Sequence, residues 1–505
     1  MSALVTITII VPLLAAGLGI VLRNGNPIIR DAATLTGLVA AAAASLGILW
    51  SVQADGTQVI RVGGWSPELG IVLVADLFAA LVLPVALVII VIVQLFALGQ
   101  RRTAWAANPA LSGPLLGVLT AGVSMAMLTG DLFTLFVSFE LILVSSYVLL
   151  THQGRRGQVR SGMTYVVMNL LASTLFLLGL AFVYAAAGTI NMALLAERIP
   201  QLDDGVRIGI GAWFFVVFGT KAAVFPLFSW LPDSYPTAPT TITAVFAGLL
   251  TKIGIYSMIR FHTLMGMDEL GPIMLIAAGI TMIIGALGAL AQSDVKRILS
   301  FHVISQIGYM LMGLALFSAA GIAGSILFVV HHMPVKTVLF LVGGLIENEE
   351  GTSSLDRSGG LARRRPLVAL LFAIPALSLA GLPPFSGFVA KLSVIRAGIE
   401  AAETPIVIAA LVAGALTLLS MTKIWLGVFW GRDVDGSSPI PTAPAARRTM
   451  EGATALAIVG SLIISLFAGT LFDLSTEAAD DLRDPAAYIG PVLDLDQTAA
   501  EGVGS

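Results

Sequence analysis

The chain has 505 residues, 57% of them apolar and only 11% charged, with a mean hydropathy of +0.95; ordinary soluble domains carry about 25% charged residues, so a soluble enzyme is excluded. A net charge of -3 from 27 basic and 30 acidic residues leaves no basic surplus for phosphates, which argues against nucleic acid as a partner. With no cysteine, disulfides, thiolate metal sites, iron-sulfur clusters and thiol nucleophiles all drop out together.

Helices that cross a bilayer need about 20 apolar residues each, and runs of that size recur along nearly the whole chain. Taken in order they predict about 14 spans, at 3–22, 32–52, 71–98, 111–129, 131–150, 161–187, 208–231, 240–261, 272–291, 296–317, 321–346, 367–399, 404–430 and 452–474. The runs are apolar all round and do not alternate, as expected of helices among lipid and other helices. The predicted class is therefore an all-α polytopic membrane protein. The first run meets its positive charges, Arg23 and Arg30, only after it ends, and reads as a retained helix. The chain divides into an N-terminal three-helix segment (1–110), two five-helix units (111–261 and 272–430), a loop with the last helix (431–474) and an acidic, exposed tail (475–505).

Orientation follows from the basic residues. Sixteen of the 27, among them Arg101, Arg102, Arg155, Arg156, Lys296, Arg363 and Arg432, fall in odd-numbered loops, and six, including Arg61, Arg207 and Arg260, fall in even-numbered loops or the span ends beside them. By the positive-inside rule the odd loops face the cytoplasm and both termini face outward.

Five lysines remain, and all lie inside spans: Lys221, Lys252, Lys336, Lys391 and Lys423. An intramembrane ammonium costs several kcal/mol unless something uses it. Lys423, two turns from a span end, is as readily explained by snorkelling to the interface. Among acids only Asp76 and Glu140 lie clearly within spans, away from loop-facing ends such as Asp131 and Asp473, with Glu140 at the middle of the fifth.

Two spans carry proline where a helix interior should not. In the seventh, TKAAVFPLFSWLPDSYPTAPT places Pro226 and Pro232 after Lys221; in the twelfth, ALSLAGLPPFSGFVAKLSV places Gly381, Pro383, Pro384 and Gly387 before Lys391. Both helices are expected to be broken, and paired breaks in two halves of a chain point to an internal repeat with the transport site between them. Lys221 and Lys391 are 170 residues apart and Lys252 and Lys423 are 171 apart. Because each unit has an odd number of helices, the second must run inverted relative to the first.

No hydrolytic or metal constellation assembles from the scattered histidines His152, His262, His302, His331 and His332. What remains is a line of titratable groups: Glu140 opposite Lys221 as a modulating pair, then Lys252, His302, His332, Lys336 and Lys391 as relay stations, with Asp76 and Lys423 as additional candidates. His332 and Lys336 are four apart and share a helix face. His302 lies with Ser305, Gln306 and Tyr309 in a polar stripe suited to ordering water.

The strings FGTKAAVFPLFSWLPDSYPTAPTTITAVFAGLLTKIGIY, SDVKRILSFHVISQIGYM, HHMPVKTVLFLVGG and GLPPFSGFVAKLSVI resemble the antiporter-like subunits shared by respiratory complex I and the Mrp-type multisubunit cation/proton antiporters, over roughly residues 110–430. That resemblance implies a glutamate–lysine pair at Glu140 and Lys221 and a proton path continuing through Lys252, His332 with Lys336, and Lys391. Lys391 stands where the chain-M-like branch of complex I carries glutamate, so the Mrp-type branch is the better match. Phe328 stands where chain-L-like members carry a further histidine. The resemblance also implies partners: the other subunits of a hetero-oligomeric Mrp-type antiporter in a bacterial cytoplasmic membrane, with lipid, protons and Na⁺ or a similar cation, and neither cofactor nor metal site. A proton-pumping subunit of complex I or of a membrane-bound hydrogenase is the alternative from the same family. A redox subunit holding haem between His302 and His332 is an alternative from another class.

Overall fold

The computed structural model describes residues 1–100, 109–151, 153–431 and 440–493. His152, the loop arginines Arg101, Arg102 and Arg432, and residues 494–505 of the predicted tail lie outside them. The chain runs α1 (Ser2–Val21), α2 (Pro27–Asp55), β1 (Gln58–Arg61), β2 (Val72–Ala75), α3 (Leu77–Gln100), α4 (Pro109–Leu128), α5 (Leu132–Thr151), α6 (Arg156–Ala187) and a short α7 (Met192–Arg198). There follow α8 (Asp204–Ala222), α9 (Trp230–Ser234), α10 (Thr240–Val245), α11 (Thr251–Leu264), α12 (Gly271–Ala291), α13 (Val295–Ala315) and α14 (Ala319–Glu350). The last part comprises α15 (Leu361–Arg364), α16 (Pro366–Ala380), α17 (Ser386–Glu400), α18 (Thr404–Ile424), α19 (Pro444–Leu466), α20 (Ala468–Arg483) and α21 (Pro485–Leu493).

Among the described residues thirteen helices are long and apolar enough to cross a membrane. The remaining predicted span, 367–399, is the broken one: α16 ends at Ala380 and α17 begins at Ser386, so neither half crosses alone. The seventh predicted span is also broken, α8 stopping at Ala222 and α9 starting at Trp230. Both stops use the same device. Ala223 (φ 63°) and Gly381 (φ 87°) adopt left-handed backbone, and the next N–H in each case turns back five residues, Val224 to the Gly219 carbonyl and Leu382 to the Leu377 carbonyl. The two caps are 158 residues apart (223 to 381), a different register from the 170-residue lysine spacing; Lys221 precedes its break, whereas Lys391 follows its own.

Three expectations need correction. Residues 71–76 do not begin the third span: 72–75 pair antiparallel with 58–61 in a short hairpin, because the alternating run after Gly56 satisfies its backbone across a sheet before the chain enters the apolar core. Span fourteen begins earlier than predicted, at Pro444, and stops at Leu466. The segment 475–493 is not an exposed tail. Ala478, Ala479 and Leu482 of α20 and Tyr488, Ile489 and Val492 of α21 are buried, and Arg61 donates to the Val492 carbonyl at 3.0 Å.

The most apolar stretches of α14 and of the α10–α11 segment are wholly buried, and α13 nearly so, so these helices form the axis around which the others pack. Ser318 caps α14, accepting from Gly321 N at 3.1 Å, and Gly351 (φ 72°) ends it. Inside α14, Pro334 offers no N–H to the Val330 carbonyl, which loosens the helix beside His331 and His332. Small residues let backbones meet: a Cβ on Gly254 would stand 2.7 Å from Ala222 N and 3.0 Å from the Lys221 carbonyl carbon, so Gly254 is what allows α11 to touch the end of α8.

Candidate ion-translocation site

Lys221 sits on the last turn of α8, at the helix end whose dipole favours a cation. Its Nζ donates to Ser173 Oγ (3.0 Å) and to the Asn169 carbonyl (3.3 Å) on α6, and lies 5.4 Å from the centre of the Phe139 ring. Glu140, the next residue along α5, is within electrostatic reach of Lys221 but forms no ion pair with it shorter than 4.0 Å, and its buried Oε1 has no hydrogen-bond partner. The pair is thus adjacent and unlatched. A cavity of about 20 Å³, room for about one water, is lined by Lys221 with Asn169, Tyr165, Trp230 and Leu250 and reaches the helix that carries Lys252.

Lys252 is fully buried. Just before it, Phe246–Leu250 form a single π-helical turn, which displaces carbonyls from the regular ladder, and Lys252 Nζ donates to one of them, that of Ala247, and to Thr251 Oγ1 at 3.4 Å. Lys336 is equally buried on the central α14 and donates to the Leu299 carbonyl of α13 at 3.1 Å. Lys391, on the second turn of α17, reaches back across the break to the carbonyl of Ala380, the last residue of α16, at 3.1 Å, and lies 5.2 Å from the Tyr309 ring centre. Among the described residues, Lys221, Lys252, Lys336 and Lys391 all bond to backbone carbonyls and none is ion-paired to a carboxylate.

The histidines fill the space between. His302 Nε2 meets Ser420 Oγ at 2.5 Å and His331 Nδ1 meets Ser386 Oγ at 2.8 Å, each leaving the other ring nitrogen unpartnered. His332 is fully buried with both ring nitrogens unpartnered, within electrostatic reach of Lys252, Lys336 and Lys391. Both polar atoms of Gln306 and the Ser378 hydroxyl are also buried without partners. Phe328 stacks on Tyr309 with ring centres 5.4 Å apart and lies 6.3 Å from the His332 ring, walling the cluster on one side.

Two candidates fall elsewhere. Lys423 donates to the carbonyls of Leu290 (2.8 Å) and Gln292 (2.7 Å), capping the C-terminus of α12, a fastening between helices. Asp76 stands between β2 and α3, where its Oδ1 accepts from Ala79 N at 3.0 Å, and it is ion-paired with Arg260. That pairing and a second buried one, Lys296 with Glu347 at 2.6 Å, with Thr240 Oγ1 on the same carboxylate oxygen at 3.1 Å, were not anticipated, since Arg260 and Lys296 read from sequence as loop or span-end charges. One signal was present: Lys252, Tyr256 and Arg260 recur every four residues, a stripe along one face of α11.

A bundle of this size whose interior is threaded by amines and imidazoles, with polar atoms left open between them, defines an ion-translocating membrane protein. The chain belongs to the NADH:quinone oxidoreductase/Mrp antiporter transmembrane family, whose model matches residues 129–417. The D subunit of the Na(+)/H(+) antiporter of Alkalihalophilus pseudofirmus is 38% identical, covering 98% of this chain and all of that one. The structure of the Mrp complex from Dietzia contains a chain that is 34% identical, with a TM-score of 0.88 over 98% of this chain and all of that one. A chain of the membrane-bound sulfane sulfur reductase, an archaeal respiratory membrane complex, is 26% identical, with a TM-score of 0.90 over the same shares.

Proposed function

We propose that this chain is a proton-translocating component of a multisubunit secondary antiporter that moves Na⁺ or a similar cation out of the cell and H⁺ in, working as a D-type member of its family. The observation that carries the reading is the set of four buried lysines held by backbone carbonyls without carboxylate partners. An ammonium so held can give up its proton to a neighbour without leaving an unpaired carboxylate behind, and Glu140 is placed to bias that exchange at Lys221. The unpartnered atoms of His302, Gln306, His331, His332 and Ser378 mark where water, the usual partner of such groups, would join the stations.

The proton path would run from Glu140 and Lys221 through Lys252, then His332 with Lys336 and His302, to Lys391. With so few acidic oxygens in the interior, a hard-cation cage built by this chain alone is disfavoured, since Na⁺-like ions take several carboxylate or carbonyl ligands; the cation then crosses at other subunits. The units 111–261 and 272–430 would be inverted repeats, supported by the matching caps at Ala223 and Gly381. The arginine-rich ends would face the cytoplasm of a bacterial plasma membrane, with both termini outside.

The second reading, a proton-pumping component powered by redox partners, is favoured by the likeness to the sulfane sulfur reductase. Everted vesicles from antiporter-deficient cells separate the two. Expression of the whole gene cluster should give Na⁺-driven proton exchange that this chain alone does not. Proton pumping linked to an electron donor, with no cation exchange, would instead establish the redox-driven reading.

A further inference from the structure

Asp76, Arg260 and Tyr488 come from three distant parts of the chain and meet at the end of the bundle where α3 begins and α11 finishes. Both carboxylate oxygens of Asp76 hold the Arg260 guanidinium, Oδ1 at 2.6 Å from Nη2 and Oδ2 bonded to Nη1. The two side chains are 8% and 6% exposed, so water does not screen the pair. Around the guanidinium carbon stand three aromatic rings, Phe78 at 5.3 Å, Tyr256 at 5.7 Å and Tyr488 at 5.4 Å. The Tyr256 hydroxyl accepts from Arg260 Nη2 at 3.1 Å and donates to the Met127 carbonyl at 2.6 Å. Tyr488 belongs to α21, beyond the last span, and lays its ring over the pair while its hydroxyl has no partner.

A purely structural staple between α3 and α11 is a weak account, because a buried ion pair adds little net stability over apolar residues of the same size. The stripe on α11 offers a better one. From Arg260 it runs inward through Tyr256 to Lys252, which leads straight to the proposed proton path. A guanidinium latched across that route by Asp76, under three aromatic rings, closes it while the pair holds.

We infer that the Asp76–Arg260 pair, roofed by Tyr488, is a gate through which protons reach Lys252 from the side of the membrane where α3 begins. This rests on the proton-translocating reading above, under which that side is the outside. One external proton neutralises Asp76, and the carboxyl group releases Arg260. With Arg260 swung away, the proton moves from the Asp76 carboxyl along the Tyr256 face of α11 to the neutral amine of Lys252, and the Asp76 carboxylate left behind closes on Arg260 again. One proton enters and one arrives. The structure shows the closed arrangement, with Arg260 latched at one end and Lys252 Nζ turned away to Ala247 at the other.

The test uses the complete antiporter complex in everted vesicles, with Asp76→Asn, Asp76→Glu, Tyr488→Ala and, for reference, Lys221→Ala. Asp76→Asn should lower exchange about 100-fold at wild-type complex levels, the range expected when a proton-transfer group is lost. Asp76→Glu should restore most of it, and Tyr488→Ala should raise proton leak in the absence of Na⁺, which a simple packing defect does not do. Wild-type exchange in Asp76→Asn overturns the gate, as does a loss matched by loss of assembled complex together with no leak in Tyr488→Ala. If Lys221→Ala itself keeps exchanging, the underlying reading fails; if Lys221→Ala is inactive and Asp76→Asn is not, only the gate fails.

Discussion

The two helix breaks end on the same kind of cap but serve their lysines differently. At the first, Lys221 lies before the break and its ammonium is held by a neighbouring helix, through Ser173 and Asn169, with Glu140 close by. At the second, Lys391 lies after the break and is held by the carbonyl of Ala380, which the break itself releases. Each ammonium thus sits by the C-terminal end of a half-helix, the favourable pole for a cation. Among the described residues, only the first has an acid within reach to tune it. On the proposed path Lys221 would therefore be the switchable station and Lys391 the fixed terminal one.

Substitutions on either side of the breaks test that contrast. The largest effect is expected from Lys221→Ala, which should cut cation/proton exchange by about two orders of magnitude or more with the complex still assembled; immunoblots of the purified complex beside vesicle assays check it. Glu140→Ala should come close, because it removes the tuning charge, while Glu140→Gln should keep the side chain's shape and still lose most activity. By contrast, no single acid paired with Lys391 among the described residues is available to remove.

A smaller, structural test concerns the contact that sets Lys221 beside α11. Gly254→Val should push α11 off the end of α8, since its Cβ would stand 2.7 Å from Ala222 N, and should lower exchange and the thermal stability of the complex together. The least effect is expected at Lys423, which caps α12. Lys423→Ala should cost about 0.3–1 kcal/mol of stability, the usual worth of a cation at a helix C-terminus, and leave exchange within about twofold of wild type.

Much of the fold was legible because a bilayer imposes a strong local code. Apolar runs of span length, prolines at Pro226 and Pro384, and five lysines inside those runs are visible without any knowledge of contacts. The hairpin at 58–75 and the packing of 475–493 were not legible, since a four-residue strand and a short amphipathic helix carry little signal until their partners are known. The pairing of Asp76 with Arg260 joins residues 184 apart, and that of Lys296 with Glu347 joins two helix ends. Arg260, Lys296 and Glu347 each look like a loop or interface residue alone, and only tertiary packing joins Arg260 to the intramembrane Asp76 and Lys296 to Glu347 as buried pairs. In the candidate site, residue types were legible but partners were not: the carbonyl that holds Lys391 comes from the break after Ala380 and the one that holds Lys252 from the π-helical turn, while Lys221 and Lys336 are held by carbonyls of neighbouring helices that only tertiary packing brings to them.

The most direct measurement is Na⁺/H⁺ exchange by the assembled complex carrying Lys221→Ala, compared with the unsubstituted complex in the same vesicles and at equal complex content. If Lys221 lies on the proton path, the variant shows background exchange and the parent robust exchange. Exchange by the assembled variant at the parent's rate would contradict that and remove Lys221 from the proton path.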